Sequence, residues 1–308
     1  MFLRSYGSAA ATNPALTGWY GDRGIVGGGW QPNLNSIDYI DITSTSNASD
    51  FGSMGQSARG RGAASNGTRG MWFGGRSMSP GPDSNCEYVT ISSPSNSSNF
   101  GNMNFTGGYS SGSSDGTKGF GMGNASYTDK IDYFTFNSTG NGTDFGDMVY
   151  GRYAQDSGSY GNRGFIAGNR DSTNYQHMDY FTMGTTSGNA SDFGEMTGRA
   201  DCCVVNSAIG RAVVCGGGPG ADQTGDVMEF VDMMVLSNST DFGDLSSNIG
   251  QLGSGGCANA TRGLICGGNG GGGSNIEYIE IATAANSNSF GSLTESKSFV
   301  GATSGAAS

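Results

Sequence analysis

Residues 47–52 read Asn-Ala-Ser-Asp-Phe-Gly, and the frame returns as Asn-Ser-Ser-Asn-Phe-Gly at 96–101 and Asn-Gly-Thr-Asp-Phe-Gly at 141–146. It recurs as Asn-Ala-Ser-Asp-Phe-Gly at 189–194, Asn-Ser-Thr-Asp-Phe-Gly at 238–243 and Asn-Ser-Asn-Ser-Phe-Gly at 286–291. The phenylalanines Phe51, Phe100, Phe145, Phe193, Phe242 and Phe290 stand 49, 45, 48, 49 and 48 residues apart. A period in this range marks repetition of one supersecondary unit. Six units fill nearly all of the 308 residues, opening near residues 21, 67, 116, 161, 209 and 260.

Working outward from Phe-Gly, each unit resolves into four short segments. Upstream lies a strand of aromatic and β-branched residues: Ile37–Ile42, Cys86–Ile91, Ile131–Phe136, Met178–Met183, Met228–Met233 and Ile276–Ile281. Its apolar groups fall on both faces, so both faces are expected to be covered. Before it comes an apolar strand that opens on a basic residue and closes on Gly28-Gly29, Gly74-Gly75, Gly123-Asn124, Gly168-Asn169, Gly216-Gly217 or Gly267-Gly268. The second member is Gly or Asn each time, which points to a left-handed turn there. Downstream of Phe-Gly runs a segment rich in Ala, Gly and Ser, as at 60–66, narrow enough to line a crowded centre.

Four short antiparallel strands per unit, six units and a small-residue strand describe an all-β, six-bladed β-propeller. The final unit runs past Phe290-Gly291, so Ser298–Gly305 is a spare small-residue strand. There are seven candidates for six inner places once Phe2–Thr12 is counted. The C-terminal strand is expected to complete the first blade and close the ring across residues 21–308. Residues 1–20, with Phe2, Tyr6, Trp19 and Tyr20, are then left as a separate strand or docking arm.

Glycine, at 57 of 308 residues, is far above an average near 7%, but it falls at fixed repeat positions and so argues for turns rather than disorder. The net charge of −11 and the lack of a Lys/Arg stripe weigh against nucleic acid as a partner. No apolar run of 18 residues suggests a membrane span. The start MFLRSYGSAAATN lacks a signal-peptide core, which implies either a cytoplasmic chain or one that leaves its cell inside an assembled particle. Of the six cysteines, Cys215 and Cys266 hold the repeat position filled by Gly27, Phe73, Met122 and Ala167 elsewhere, too far apart to bridge. Cys86, Cys202, Cys203 and Cys257 complete the set, and buried free thiols are expected. With His177 the one histidine and no Cys-x-x-Cys, no metal site and no cofactor are expected.

One basic residue opens each unit (Arg23, Arg69, Lys118, Arg163, Arg211, Arg262), and one acid stands second in the aromatic strand (Asp38, Glu87, Asp132, Asp179, Glu229, Glu277). In a chain with 13% charged residues this recurrence predicts structural ion pairs within or between blades; a ring of acids for a cation is the competing reading. The Asn-x-Ser/Thr triplets at Asn47, Asn96, Asn141, Asn189 and Asn238 all fall in one turn and are read as turn formers. Asp-Phe-Gly occurs four times without any kinase context, as a core aromatic before a strand end. The loop after the paired glycines varies most among units. It brings Trp30, Tyr127, Tyr175 and His177 to one end of the ring, the candidate binding face.

The unit resembles a kelch-type repeat, like those of the galactose oxidase central domain: the double glycine Gly28-Gly29, then the aromatics Tyr39 and Phe51 in the two following strands. Phe230 replaces the strand tyrosine in the fifth unit. The wording Thr-Arg-Gly, Gly-Gly, Ile-Asp-Tyr-Ile and Asn-Ala-Ser-Asp-Phe-Gly also resembles kelch-like repeats in virion proteins of marine bacteriophages, cyanophages especially. The resemblance covers residues 21–308 and implies a non-enzymatic, multi-copy virion protein made in the host cytoplasm. Such a protein would be displayed on a tail, fibre or capsid and would bind other virion proteins and host surface glycans. A free glycan-binding propeller is the alternative. Copper oxidase chemistry lacks its histidines here, and the acids are absorbed by the repeat rather than paired for glycoside hydrolysis.

Overall fold

In the computed structural model, residues 21–307 are described apart from 31–33, 78–80, 171–175, 198–200, 207–208, 219–224, 247–252, 254 and 269–272. The fold is a six-bladed β-propeller of four-stranded antiparallel sheets. Blade 1 runs from the channel outward as Gly301–Gly305, Arg23–Gly27, Ser36–Asp41 and Ser49–Ser53. The inner strands of blades 2 to 6 are Gly62–Ser65, Ser111–Ser114, Asp156–Tyr160, Cys203–Asn206 and Gly255–Ala258. The C-terminal strand thus closes the ring, with Gly301 opposite Gly27 and Gly305 opposite Arg23. The expected arm at residues 1–20 lies outside the described residues.

The core lies between neighbouring sheets. Ile25, Ile37, Phe51 and Met54 of blade 1 pack with Trp72, Val89 and Ile91 of blade 2, and equivalent clusters fill the other five gaps. This is why the third strand carries apolar side chains on both faces: its isoleucines and phenylalanines reach the sheets on either side. All six cysteines are buried and free within this packing, and burial pushes the Cys86 thiol up to about 12.

Three contacts, each made six times, join blade to blade. First, the glycine after each outer-strand phenylalanine faces the asparagine turn of the next blade. A β-carbon at Gly52 would lie 2.4 Å from the Ser95 carbonyl oxygen, and one at Gly146 would lie 2.5 Å from that of Gly188. The asparagine then accepts a backbone N–H from the same outer strand: Ser53 to Asn96 at 3.0 Å, Asn102 to Asn141 at 3.1 Å, and Ser292 to Asn47 at 3.1 Å across the ring closure. Asn189, Asn238 and Asn286 repeat this.

Second, the acid of each third strand accepts a backbone N–H from the loop leaving the previous blade's outer strand. The donors are Gly55 to Glu87, Asn104 to Asp132, Val149 to Asp179, Thr197 to Glu229, Ser246 to Glu277 and Thr294 to Asp38. Third, the basic residue that opens each second strand donates to a carbonyl in the next blade. Arg23 reaches Ile91, Arg69 Phe136, Arg163 Met233, Arg211 Ile281 and Arg262 Ile42, while Lys118 reaches Thr185. Each of these cations also lies over the ring of its own blade's third-strand aromatic, Tyr39, Tyr88, Tyr133, Tyr180, Phe230 or Tyr278, at 4.2 to 5.2 Å.

The expected pairing of these cations with these acids is therefore not what holds the blades. Register is the reason: Arg23 stands opposite Asp41, whereas Asp38 stands opposite Val26, three residues along the strand. That offset is about 10 Å. Three of the acids instead meet different cations: Lys297 lies 3.4 Å from Asp38, Arg61 3.3 Å from Glu87 and Arg152 2.7 Å from Asp179. The double-glycine turn is left-handed as expected, but at more than the second member. The first member has φ from 53° to 82° at Gly28, Gly74, Gly123, Gly168, Gly216 and Gly267; the second has positive φ at Gly29, Gly75, Gly217 and Gly268 and not at Asn124 or Asn169.

The clasp makes a direct prediction. Gly146→Ala, at φ 151° against the Gly188 carbonyl, is expected to cost on the order of 1–3 kcal/mol by denaturant melting. Gly140→Ala, in a turn with open space around it, should leave the midpoint nearly unchanged.

Candidate functional site

Because the strands alternate direction, the loops after the double glycines and the connections from outer strand to the next inner strand share one end of the ring. There the chain enters each inner strand through a left-handed residue two positions before it. The six are Gly60, Tyr109, Ala154, Asp201, Gly253 and Phe299, with φ between 54° and 61°. They form a ring around the channel mouth joined by tangential backbone bonds: Gly60 N–H to Phe299 at 2.8 Å, Asp201 N–H to Ala154 at 3.0 Å and Gly253 N–H to Asp201 at 3.2 Å.

Glycine suits this conformation. Tyr, Ala, Asp and Phe do not, at a cost on the order of 1–3 kcal/mol each. The side chains placed there converge. Tyr109 stands edge-on to Phe299 at 5.1 Å and to Tyr153 at 4.8 Å, and the three pack with Ala154 and Trp30 as a cluster separate from the interblade cores. The vacant positions are used as well, since a β-carbon at Gly253 would meet the Phe299 ring at 2.6 Å.

Outside this ring, three of the residues that precede its members pair with the loop after a double glycine. Arg59 exchanges backbone bonds with Arg76, Tyr153 accepts one from Arg170, and Trp30 donates one to Ser298. The Arg59 guanidinium lies 3.8 Å from the centre of Trp30 and 5.8 Å from that of Tyr109. Arg170 lies over Tyr153 at 5.4 Å, donates to its hydroxyl at 3.1 Å, and sits 3.4 Å from Asp201 Oδ2. Tyr127, at 44% the most exposed aromatic of the group, meets Tyr153 edge-on at 5.6 Å.

Below the mouth the channel is lined by small hydroxyl residues, among them Ser65, Ser113, Ser157 and Ser304, together with Asn206 and Asp156. It holds about 930 Å³, counting its open ends. Two carboxyl groups here are unusual. Burial pushes Asp156 up to about 7, against N–H donation from Val204 and Ser157. Burial likewise raises Asp201 to about 6 against the pull of Arg170, and neither Asp201 oxygen accepts a hydrogen bond. Among the described residues no three or more His, Cys, Asp or Glu side chains gather in a metal-holding group.

Of the four residues singled out in the variable loops, Trp30 and Tyr127 join this cluster. His177 stands apart at the start of a third strand, its imidazole 5.0 Å from the Tyr150 ring and its carbonyl bonded by Arg152. Tyr175 lies outside the described residues. Sequence reasoning missed Arg59, Tyr109, Tyr153, Asp201 and Phe299, because it treated their segment only as the way back to the centre, and it passed over Arg170 in the variable loop while looking there for aromatic residues. The signal was present: aligned two residues ahead of each inner strand, that column holds two glycines and four residues that should not replace glycine. No family model and no curated protein matches the chain.

The raised carboxyl groups fix a pH dependence. A folded pKa above the unfolded value means that the folded state holds more protons between roughly pH 4 and 7. The stability that Asp156 contributes is thus present at acid pH and lost as pH rises through about 7. Asp156→Asn should therefore gain stability relative to the native chain at pH 8 compared with pH 4.5, read from paired melting curves at both values.

Proposed function

We propose that this chain is a non-enzymatic attachment propeller, a virion structural protein of a marine bacteriophage that meets host surface glycans through the mouth of its central channel. The supporting observation is where sixfold repetition fails. Interblade bonds and core packing repeat unit by unit. The mouth instead gathers Trp30, Tyr153, Tyr127 and their arginines around the strained residues Tyr109, Ala154 and Phe299. Strain retained at a solvent-facing cleft is a feature of functional sites. Partly exposed aromatic rings beside hydrogen-bonding groups suit the apolar faces and hydroxyl edges of sugars.

The virion setting rests on the kelch-like wording of the repeats and on a surface dominated by Ser, Thr, Asn and Gly. Multiple copies on a tail, fibre or capsid would turn weak individual contacts into firm attachment. Other virion proteins would dock elsewhere on the ring or on residues 1–20.

The chain should be detectable by mass spectrometry in purified particles, and the isolated chain should retain cell-surface glycans on an array. Trp30→Ala with Tyr153→Ala is expected to lower that retention at least tenfold while the melting curve stays cooperative. Retention unchanged by both substitutions would move the contact away from the mouth.

A further inference from the structure

We propose that the ligand of the channel mouth carries a negative charge, as a pendant carboxylate or sulfate on a saccharide, and that Arg59 and Arg76 are the residues that bind it. The proposal rests on the glycan reading above and specifies its chemistry. It starts from charge. The chain has 15 basic residues against 26 acids, and six of the basic residues are spent on interblade contacts at the far end of the ring. Arg61, Arg152 and Lys297 are buried against the carboxylates of Glu87, Asp179 and Asp38.

Arg59 and Arg76 differ from all of these. They are neighbours across a backbone bridge, with N–H to carbonyl distances of 3.2 and 2.8 Å in the two directions. Neither takes part in an ion pair among the described residues. Two like charges side by side repel, and a protein of net charge −11 offers many acids that could have been placed between them.

The Arg59 side chain is also held in place. Its guanidinium lies against Trp30 and within reach of Tyr109, so its direction is set by rings rather than by a carboxylate. Its Nε is buried and meets no hydrogen-bond partner among the described residues, so the Nη donors of this half-buried side chain are the ones a ligand can reach. An arginine oriented by aromatic stacking, with donor capacity left over, is arranged for an external planar anion, which its forked donors match in two-point fashion. The Trp30 ring that holds it is partly exposed in the same cluster as Tyr153, beside Tyr127, where a sugar would stack. One ligand can therefore use both features, its ring on the aromatics and its charged group on the arginines. A neutral saccharide would leave the two positive charges uncompensated.

The test measures binding of the full chain by calorimetry to three oligosaccharides of similar length: a carboxylated oligogalacturonate, a sulfated galactan and a neutral galactan. The expected result is binding of one or both acidic oligosaccharides at least tenfold tighter than the neutral one, weakening as sodium chloride is raised. Arg59→Gln with Arg76→Gln should remove that preference, while Lys130→Gln, an exposed cation at the same end, should not. The two acidic arms distinguish carboxylate from sulfate. Equal affinity for charged and neutral oligosaccharides, or no effect of the arginine substitutions, overturns the anion assignment and leaves glycan attachment standing. No binding of any of the three overturns glycan attachment itself. Competition by sodium sulfate alone, with no added affinity from the sugar, reduces the site to a simple anion site and also overturns the proposal.

Discussion

The structure depends on a place where one backbone lies against another. The glycine of each Phe-Gly pair faces the asparagine turn of the next blade so closely that no β-carbon fits between them. The phenylalanine beside it is buried in its own blade's gap. A single dipeptide thus anchors the outer strand inward and leaves its edge flush with the neighbour. The asparagine Oδ1 then closes the contact by accepting an outer-strand N–H that would otherwise face solvent. Outer strands of a propeller are sheet edges, and unpaired edges invite association with other chains. Here each edge gives at least one of its donors to the adjacent blade.

The acids and cations of the repeat complete the same task at other radii. The third-strand acids fix the loop that crosses from one blade to the next, and the opening cations tie the far end of each second strand to a neighbouring carbonyl. Because all three contacts run in one direction around the ring, closure has to satisfy them across the seam between blades 6 and 1. It does: Asn47, Asp38 and the Ile42 carbonyl receive Ser292, Thr294 and Arg262. The C-terminal strand at the centre of blade 1 brings that seam together without a change in the repeat contacts.

Much of this was legible in the sequence because it is repeated. Six copies of Phe-Gly, of the paired glycines and of the small-residue strand turn faint single signals into a fold, and the surplus strand at Ser298–Gly305 identified the closure. What repetition could not supply was the partner of each repeated residue. Arg23 and Asp38 recur in step, yet strand register places them three residues apart, and each found its partner in an adjacent blade. Covariation of position along a chain is not contact. The mouth was the least legible part for the opposite reason. Tyr109, Asp201 and Phe299 are informative only as exceptions, and an exception is visible only after the column it breaks has been drawn.

That difference bears on how function is carried by a repeat. A position filled alike in all units serves the ring as a whole, and changing one copy weakens one seam. A position whose side chain varies among units is free to serve something that does not share the ring's symmetry. The column ahead of the inner strands is such a position: its backbone is the same in all six units, with φ confined to a few degrees, while its side chains run from none to phenylalanine. The scaffold therefore imposes the strain uniformly, and four side chains are tolerated where glycine would relieve it. Stability alone selects glycine there. Under the proposed attachment function, the aromatic and charged residues at the mouth are the asymmetric imprint of an asymmetric ligand on a symmetric frame.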